Sequence, residues 1–306
     1  MNFKSKLIVP LLVVIFVFPF STLAQKKPVA KPAAAQRNIT VSTEPNATVW
    51  VDDVKRGVTD TGGKLAGVKL SPASRVLRVR ANGFKQAMVN LTPAAKGIVK
   101  VKLAVTGDNA ELLFQKAEAL RESTIDEAER GKAVELYKQA LKLRPKFPEA
   151  HLGLARVYFD LKNTEAAMAE IIAARKDRPV YPEASAVEGR IYHEDIDDEM
   201  AVKSYNRAIK EGRGYQPEAH TGLAIIYKEQ EKNDEAIKEF KIAISQLFGT
   251  EPILYQLLGD LYEKMRNYKE AINTYEAYLK AAPNGKDVSA IQSIIVQLKK
   301  ELEQPD

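Results

Sequence analysis

The chain has 306 residues, 45% hydrophobic and 28% charged, with no Cys, three His, one Trp and a formal net charge of +6. That size suits two small domains or one elongated array, and the composition argues against a disordered or fibrous chain. Without Cys there is no disulfide framework, thiolate nucleophile or thiolate-held metal, and three widely spaced histidines offer little for a histidine-based metal site.

In chain order, Lys4 and Lys6 precede an apolar run from Leu7 to Phe20, and Ser21-Thr22-Leu23-Ala24 places small residues where a signal peptidase reads ahead of Gln25. The run is broken by Pro10 and Pro19 and is shorter than the ~20 residues a helix needs to cross a bilayer. Residues 1–24 therefore read as a cleaved secretory signal, which implies export and leaves no integral membrane span. Residues 25–37, QKKPVAKPAAAQR, read as a Pro/Ala/Lys-rich linker.

Residues 38–104 alternate with period 2 in short runs: ITVST at 39–43, ATVWVD at 47–52, VLRVR at 76–80, QAMVNL at 86–91 and IVKVKL at 98–103. Broken by Pro45, Gly57, Gly62-Gly63 and Asn82-Gly83, they predict a small antiparallel β domain of five or six strands. Val49, Val51, Leu77, Val79, Val99 and Val101 are its expected core face. Trp50 then points to the other face, to serve as a contact residue or to be buried under a loop or against the helical part. EPNATVWVDDVKRG at 44–57 and LRVRANGFK at 77–85 resemble the PEGA domain, a small β-sandwich of bacterial surface and envelope proteins. The chain departs from that family at Glu44-Pro45-Asn46-Ala47, in place of Pro-Glu-Gly-Ala, at Asp53 where a turn glycine is common, and at Thr59-Asp60 where Thr-Pro is usual. The resemblance implies a noncatalytic binding or spacer module and a location in the periplasm or cell envelope of a bacterium.

From Ala110 onward the chain repeats itself. Small residues at Ala155, Gly189, Ala224 and Gly259 are 34, 35 and 35 residues apart, and Tyr158, Tyr192, Tyr227 and Tyr262 follow each by three. Each unit predicts two amphipathic helices, the second carrying Ala167, Ala201, Ala236 and Ala271 and then Ile171, Tyr205, Phe240 and Tyr275. Small residues where backbones approach and bulky rings between units are what stacked helical hairpins require. An earlier unit, from Ala117 through Ala133, has four extra residues. These positions resemble the tetratricopeptide repeat, and the expected architecture is a small all-β sandwich followed by an all-α superhelical solenoid. Five repeats are expected over 110–283, at 110–147, 148–181, 182–216, 217–251 and 252–283, with a capping helix over 286–303.

Residues one and four positions after each small residue are expected on the concave face: Arg156 and Phe159, Arg190 and His193, Ile225 and Lys228, Asp260 and Glu263. The resemblance implies that this groove receives a segment of a partner protein. Leu152, Arg156, Ala186 and Arg190 do not reproduce the Lys and Asn arrangement that clamps a terminal carboxylate in some relatives.

The densest acidic cluster, His193-Glu194-Asp195-Ile196-Asp197-Asp198-Glu199, lacks the glycine that a calcium loop bends around and reads as a solvated turn. Phosphate-binding glycine loops and a serine elbow are absent from the sequence, so no enzyme activity, cofactor or metal is expected. The leading expectation is a noncatalytic adaptor of the bacterial cell envelope. The alternative makes the β domain a polysaccharide- or peptidoglycan-binding module and gives the repeats to self-assembly. The net charge hides two opposite halves: residues 25–107 hold 15 Lys/Arg against 4 Asp/Glu, and residues 108–306 hold 29 against 36. Opposite signs allow the basic half to lean on an anionic envelope surface while the acidic repeats stay in solvent, or only keep the two halves soluble or mutually attracted. Export makes nucleic acid an unsuitable partner.

Overall fold

The computed structural model describes residues 37–71, 76–92 and 94–303; the expected signal and all of the expected linker except Arg37 lie outside them. Among the described residues seven strands come first: β1 Arg37–Ser42, β2 Thr48–Val51, β3 Val54–Val58, β4 Lys64–Leu70, β5 Val76–Arg80, β6 Ala87–Asn90 and β7 Gly97–Lys100. They form a three-stranded sheet, ordered β4-β1-β7, and a four-stranded sheet, ordered β3-β2-β5-β6. Alternation along each strand turns Ile39, Val41, Val68 and Leu70 of the first sheet toward Val49, Val51, Leu77 and Val79 of the second, and these residues share one buried core with Val101 and Leu103.

The strand expectation needs two corrections. β3 and β4 are additional to the expected runs, because Gly57 reads as a break and Gly67 interrupts the alternation of β4; both glycines sit at positive φ, +144° and +68°. The sheet is also not wholly antiparallel, since β1 and β7 run parallel, Ile39 opposite Gly97 and Val41 opposite Val99. The β2–β3 turn is Asp52-Asp53, with φ of 48° and 66°. Two successive left-handed residues give a turn whose twist matches the hairpin, and short Asp side chains tolerate that conformation. Next to it the register shifts: Val49 faces Gly57 and Trp50 faces Lys55, so Arg56 is the extra residue of a bulge.

Eleven helices follow among the described residues: α1 Asn109–Ser123, α2 Glu127–Leu143, α3 Pro148–Asp160, α4 Thr164–Asp177, α5 Pro182–Glu194, α6 Asp198–Glu211, α7 Pro217–Glu229, α8 Asn233–Gln246, α9 Pro252–Lys264, α10 Tyr268–Ala281 and α11 Val288–Glu303. The recurrent proline opens α3, α5, α7 and α9, where its fixed φ fits the first helical turn and its missing N–H costs nothing. The first helices of these repeats end alike. Lys162, Ile196, Glu231 and Arg266 take positive φ, and the next N–H reaches back to the carbonyl of the recurrent tyrosine, as in Asn163 N–H to Tyr158 O at 2.9 Å. Asn163, Asp197 and Asn267 then cap the second helix through their side chains.

Inside the α5–α6 and α9–α10 hairpins, the ring of the second helix fills the space left by a glycine of the first. A Cβ built on Gly189 falls 2.7 Å from the Tyr205 ring, and one on Gly259 falls 2.5 Å from Tyr275. Tyr137, Tyr205, Phe240 and Tyr275 are fully buried. Glu188, a charge at a usually apolar position, is compensated by a salt bridge to Arg207. The longer first unit appears as the 15- and 17-residue helices α1 and α2. At the far end Ile291, Ile295 and Leu298 of α11 close the core of the last repeat.

Candidate protein-interaction site

First helices of successive repeats approach one another, α1 with α3, α3 with α5 and α5 with α7, and so form the inner layer of the array. Side chains on the outer face of the β2–β3–β5 sheet pair with α1 and α5 and line a cavity against α3. Both parts belong to one compact unit, Gln36–Asp306.

Basic side chains of the sheet meet acidic side chains of the helices. Period-2 alternation carries Arg78 and Arg80 to the same face of β5. Arg78 pairs with Glu183 of α5 at 3.1 Å and lies 3.7 Å from Asp53. Arg80 pairs with Glu118 of α1 at 3.2 Å, and Lys55 pairs with Glu122 at 2.5 Å. Trp50 is 8% exposed, its ring under both guanidiniums at 4.7 and 5.0 Å, while Arg80 also stacks on Phe114 at 5.1 Å. The packing role weighed for Trp50 is therefore the one the structure shows. Arg56, turned out by its bulge, donates to the Tyr215 hydroxyl and stacks on Phe248 at 4.9 Å. Gln115 reads the backbone, accepting from Gly83 N–H at 2.9 Å and donating to Phe84 O at 2.8 Å. The connection to α1 is tied down as well, by Thr106 N–H to Gly83 O and Lys85 N–H to Ala104 O.

Two carboxyls of this interface titrate in opposite directions. Burial works against ionised Glu118, yet the Arg121 and Arg80 guanidiniums and the Tyr137 hydroxyl outweigh it and hold its pKa at about 2. Asp53 is pushed up to about 6, by burial first and then by the Glu183 carboxylate, with Arg78 opposing. Buried ion pairs of this kind add little net stability, but removing one partner strands a charge at a cost of about 3–5 kcal/mol. They therefore fix where the sheet sits more than how tightly.

The eight expected groove residues fall into two sets. Arg156 faces the β domain and lies 3.8 Å from Glu218; Arg190 reaches the same carboxylate at 3.4 Å and stacks on Phe159 at 4.6 Å. His193 pairs with Asp198 at 2.9 Å and lies 3.6 Å from Glu229. Toward the other end, Ile225 packs against the last core cluster and Lys228 is half-buried in the final turn of α7. Asp260 and Glu263 both accept from the Tyr275 hydroxyl, at 2.7 and 3.0 Å, and line a shallow depression of about 460 Å³ with Lys264. Sequence reasoning missed the interface residues Arg78, Arg80, Glu118 and Glu183. The signal was present as alternating basic residues around the only Trp and as acids on the first helices. Among the described residues no group of three or more His, Asp or Glu is placed to hold a metal ion, and no helix is long and apolar enough to cross a membrane.

This geometry defines a repeat solenoid of the tetratricopeptide class. Tetratricopeptide-repeat models match residues 125–191 and 253–284. Among solved structures, pilF of Pseudomonas aeruginosa is 17% identical with a TM-score of 0.53, covering 63% of this chain and 86% of its own. A thermophilic TPR protein of Thermus thermophilus is 21% identical with a TM-score of 0.50, covering 60% and 99%. PilW, described as a type IV pilus biogenesis factor, is 14% identical with a TM-score of 0.52, covering 65% and 94%. At these identities the likeness concerns the fold. No curated protein matches the chain significantly in sequence.

Proposed function

We propose that the protein is a noncatalytic adaptor of a bacterial cell envelope, exported by its amino-terminal signal, with a PEGA-like β domain seated in one half of the repeat groove and a protein partner held in the other. The observation that carries this reading is the division of the groove. The sheet's charged side chains pair with α1 and α5, and its β2–β3 turn reaches the start of α7, while Ile225 and Lys228 further along α7 and Asp260 and Glu263 on α9 lie beyond the residues the sheet contacts. Of the eight groove residues, these four are assigned to the partner. Arg156, Phe159, Arg190 and His193 belong to the covered half or its rim, where ion pairs and stacking already engage them. In this reading residues 38–104 and 110–283 act as one body, with 286–303 capping it. The polysaccharide-binding alternative has less support, because Trp50, the side chain best suited to stack on a sugar, is buried between Arg78, Arg80 and the helices.

Photocrosslinking in the native cell with the full-length chain tests the assignment. A crosslinking residue in place of Lys228 or Glu263 should trap a discrete protein adduct, whereas one in place of Lys238, exposed on α8, should not. Equal capture at Lys238 would remove the groove from the assignment.

A further inference from the structure

Where the β2–β3 turn meets α5 and α7, the two surfaces leave a cavity of about 240 Å³ lined by the carboxylates of Asp53, Glu183, Glu218 and Glu251 and by Arg156. It adjoins a larger one of about 400 Å³ under Trp50 and Tyr181, and Asp53, Arg156 and Glu183 line both. Clefts between packed modules are common ligand sites. Three guanidiniums answer the four carboxylates: Arg78 on Asp53 and Glu183, and Arg156 and Arg190 on Glu218. The site is one positive charge short.

Two further observations point to the same deficit. Glu183 is 6% exposed, and only its Oε1 is bonded; its Oε2 is buried without a hydrogen-bond partner, an arrangement that costs free energy unless a donor arrives. Asp53 has a raised pKa, owed first to burial and then to the Glu183 carboxylate. The groups facing it are Glu183 of α5, Arg78 of β5, Arg178 after α4 and Asp52 in its own turn. Arg178 is already drawn to Glu149 at 3.7 Å, and the Asp52 carboxylate accepts Val76 N–H at 2.9 Å. Val54, Pro217 and Leu247 provide an apolar wall for an alkyl stem behind a charged head.

We propose that this cleft binds an organic monocation, an alkyl guanidinium or primary ammonium, with its head between Asp53 and Glu183 and its stem along Leu247 and Pro217. The site uses none of the partner-face residues Ile225, Lys228, Asp260 and Glu263 and does not depend on that assignment. The same head group occurs on a free amine and on an Arg or Lys side chain of a peptide, so the probes must include both.

Isothermal titration of the full-length protein at pH 7.5 with butylguanidine, pentylamine and the capped tripeptides Gly-Arg-Gly and Gly-Gln-Gly tests it. Saturable binding of butylguanidine or pentylamine, or of the Arg but not the Gln peptide, is expected; which probe binds more tightly identifies a free amine or a peptide side chain as the natural source. Asp53→Asn, which suits the left-handed turn, and Glu251→Gln, which alters an exposed side chain, should each weaken binding on the order of tenfold. At pH 6 binding should release a proton, because the cation favours ionised Asp53; the buffer dependence of the heat reports it, and Asp53→Asn should abolish it. The proposal is wrong if no cationic probe saturates by about 10 mM, if glutarate binds as well as butylguanidine, or if the Asp53→Asn, Glu251→Gln double variant, folded by circular dichroism, keeps full affinity.

Discussion

The two halves of the groove are built from the same repeat and differ in what they meet. Over α1 and α5 the inner face presents Glu118, Glu122 and Glu183, and the sheet answers with Arg80, Lys55 and Arg78. Over α7 and α9 the inner face presents Lys228, Asp260 and Glu263, and here Tyr275 of the same hairpin holds the carboxylates. A solenoid exposes a long concave surface because each repeat contacts only its neighbours. In this chain, part of that surface is used to seat a module too small to bury a generous core by itself. The charge asymmetry of the sequence is thereby an internal interface as well as a property of the surface.

Reversing the sheet's charges is the most direct way to break the comparison. Arg78→Glu with Arg80→Glu leaves Glu183 and Glu118 facing like charge, and about 3–5 kcal/mol per broken buried pair is enough to release the sheet. Hydrogen exchange should accelerate on the inner faces of α1 and α5 and stay unchanged on α9 to α11. Adding Glu183→Arg and Glu118→Arg should restore part of the protection. Unchanged exchange in the double reversal would show that these pairs do not hold the sheet.

Acid separates the halves next. Glu118, depressed from 4.5 to about 2, contributes stability that is present above its unfolded value and is lost as pH falls from about 4.5 to 2. A shift of that size corresponds to about 3 kcal/mol. Asp53, raised from 3.8 to about 6, works the other way: its contribution is full below about 3.8 and is lost as pH rises toward 6. Protection of α1 and α5 should therefore pass through a maximum near pH 4–5, with exchange on α9 to α11 as the internal reference. Asp53→Asn should flatten the alkaline limb alone. A monotonic profile in the unmodified protein would contradict the opposed shifts.

A third test acts through packing. Gly189→Ala places a methyl 2.7 Å from the Tyr205 ring in the covered half, and overpacking of this kind costs about 1–3 kcal/mol. Tyr205→Leu should relieve the added strain, so the double variant should be more stable than the sum of the single effects in denaturant melts. Strict additivity would mean that the two residues are not in contact.

Much of this architecture was legible in the sequence, and the gaps have physical causes. The spacing of Ala155, Gly189, Ala224 and Gly259 and the rings of Tyr205, Phe240 and Tyr275 describe the helical hairpins because helix packing is local and periodic. β3 and β4 escaped because strand pairing tolerates Gly57 at a bulge and Gly67 in an edge strand, which no single-strand pattern reveals. The docked sheet escaped for another reason. Charge sign announces attraction but not register, and matching Arg78 to Glu183, 105 residues apart, requires the shapes of both surfaces. Hence the concave residues were named by period, while the difference between Arg156 under the sheet and Asp260 outside it became visible only once the fold was assembled.

The smallest expected effect sharpens the comparison at the level of a single turn. Ile196 stands at φ of 62° with 90% of its surface exposed, and a β-branched side chain in the left-handed region is strained whatever surrounds it. Arg266 occupies the equivalent turn of the last repeat at φ of 55°. Glycine relieves the backbone at both positions but gives back some chain entropy, so Ile196→Gly should stabilise by about 0.5–1 kcal/mol and Arg266→Gly by less. Since repeats couple chiefly to their neighbours, the gain at Arg266 should slow exchange on α9 to α11, while the gain at Ile196 should spread to α1 and α3 through the seated sheet. Ile196→Gly combined with the Arg78→Glu, Arg80→Glu reversal decides whether the sheet transmits it. If the α1 effect persists with the sheet released, the coupling runs through the helices alone.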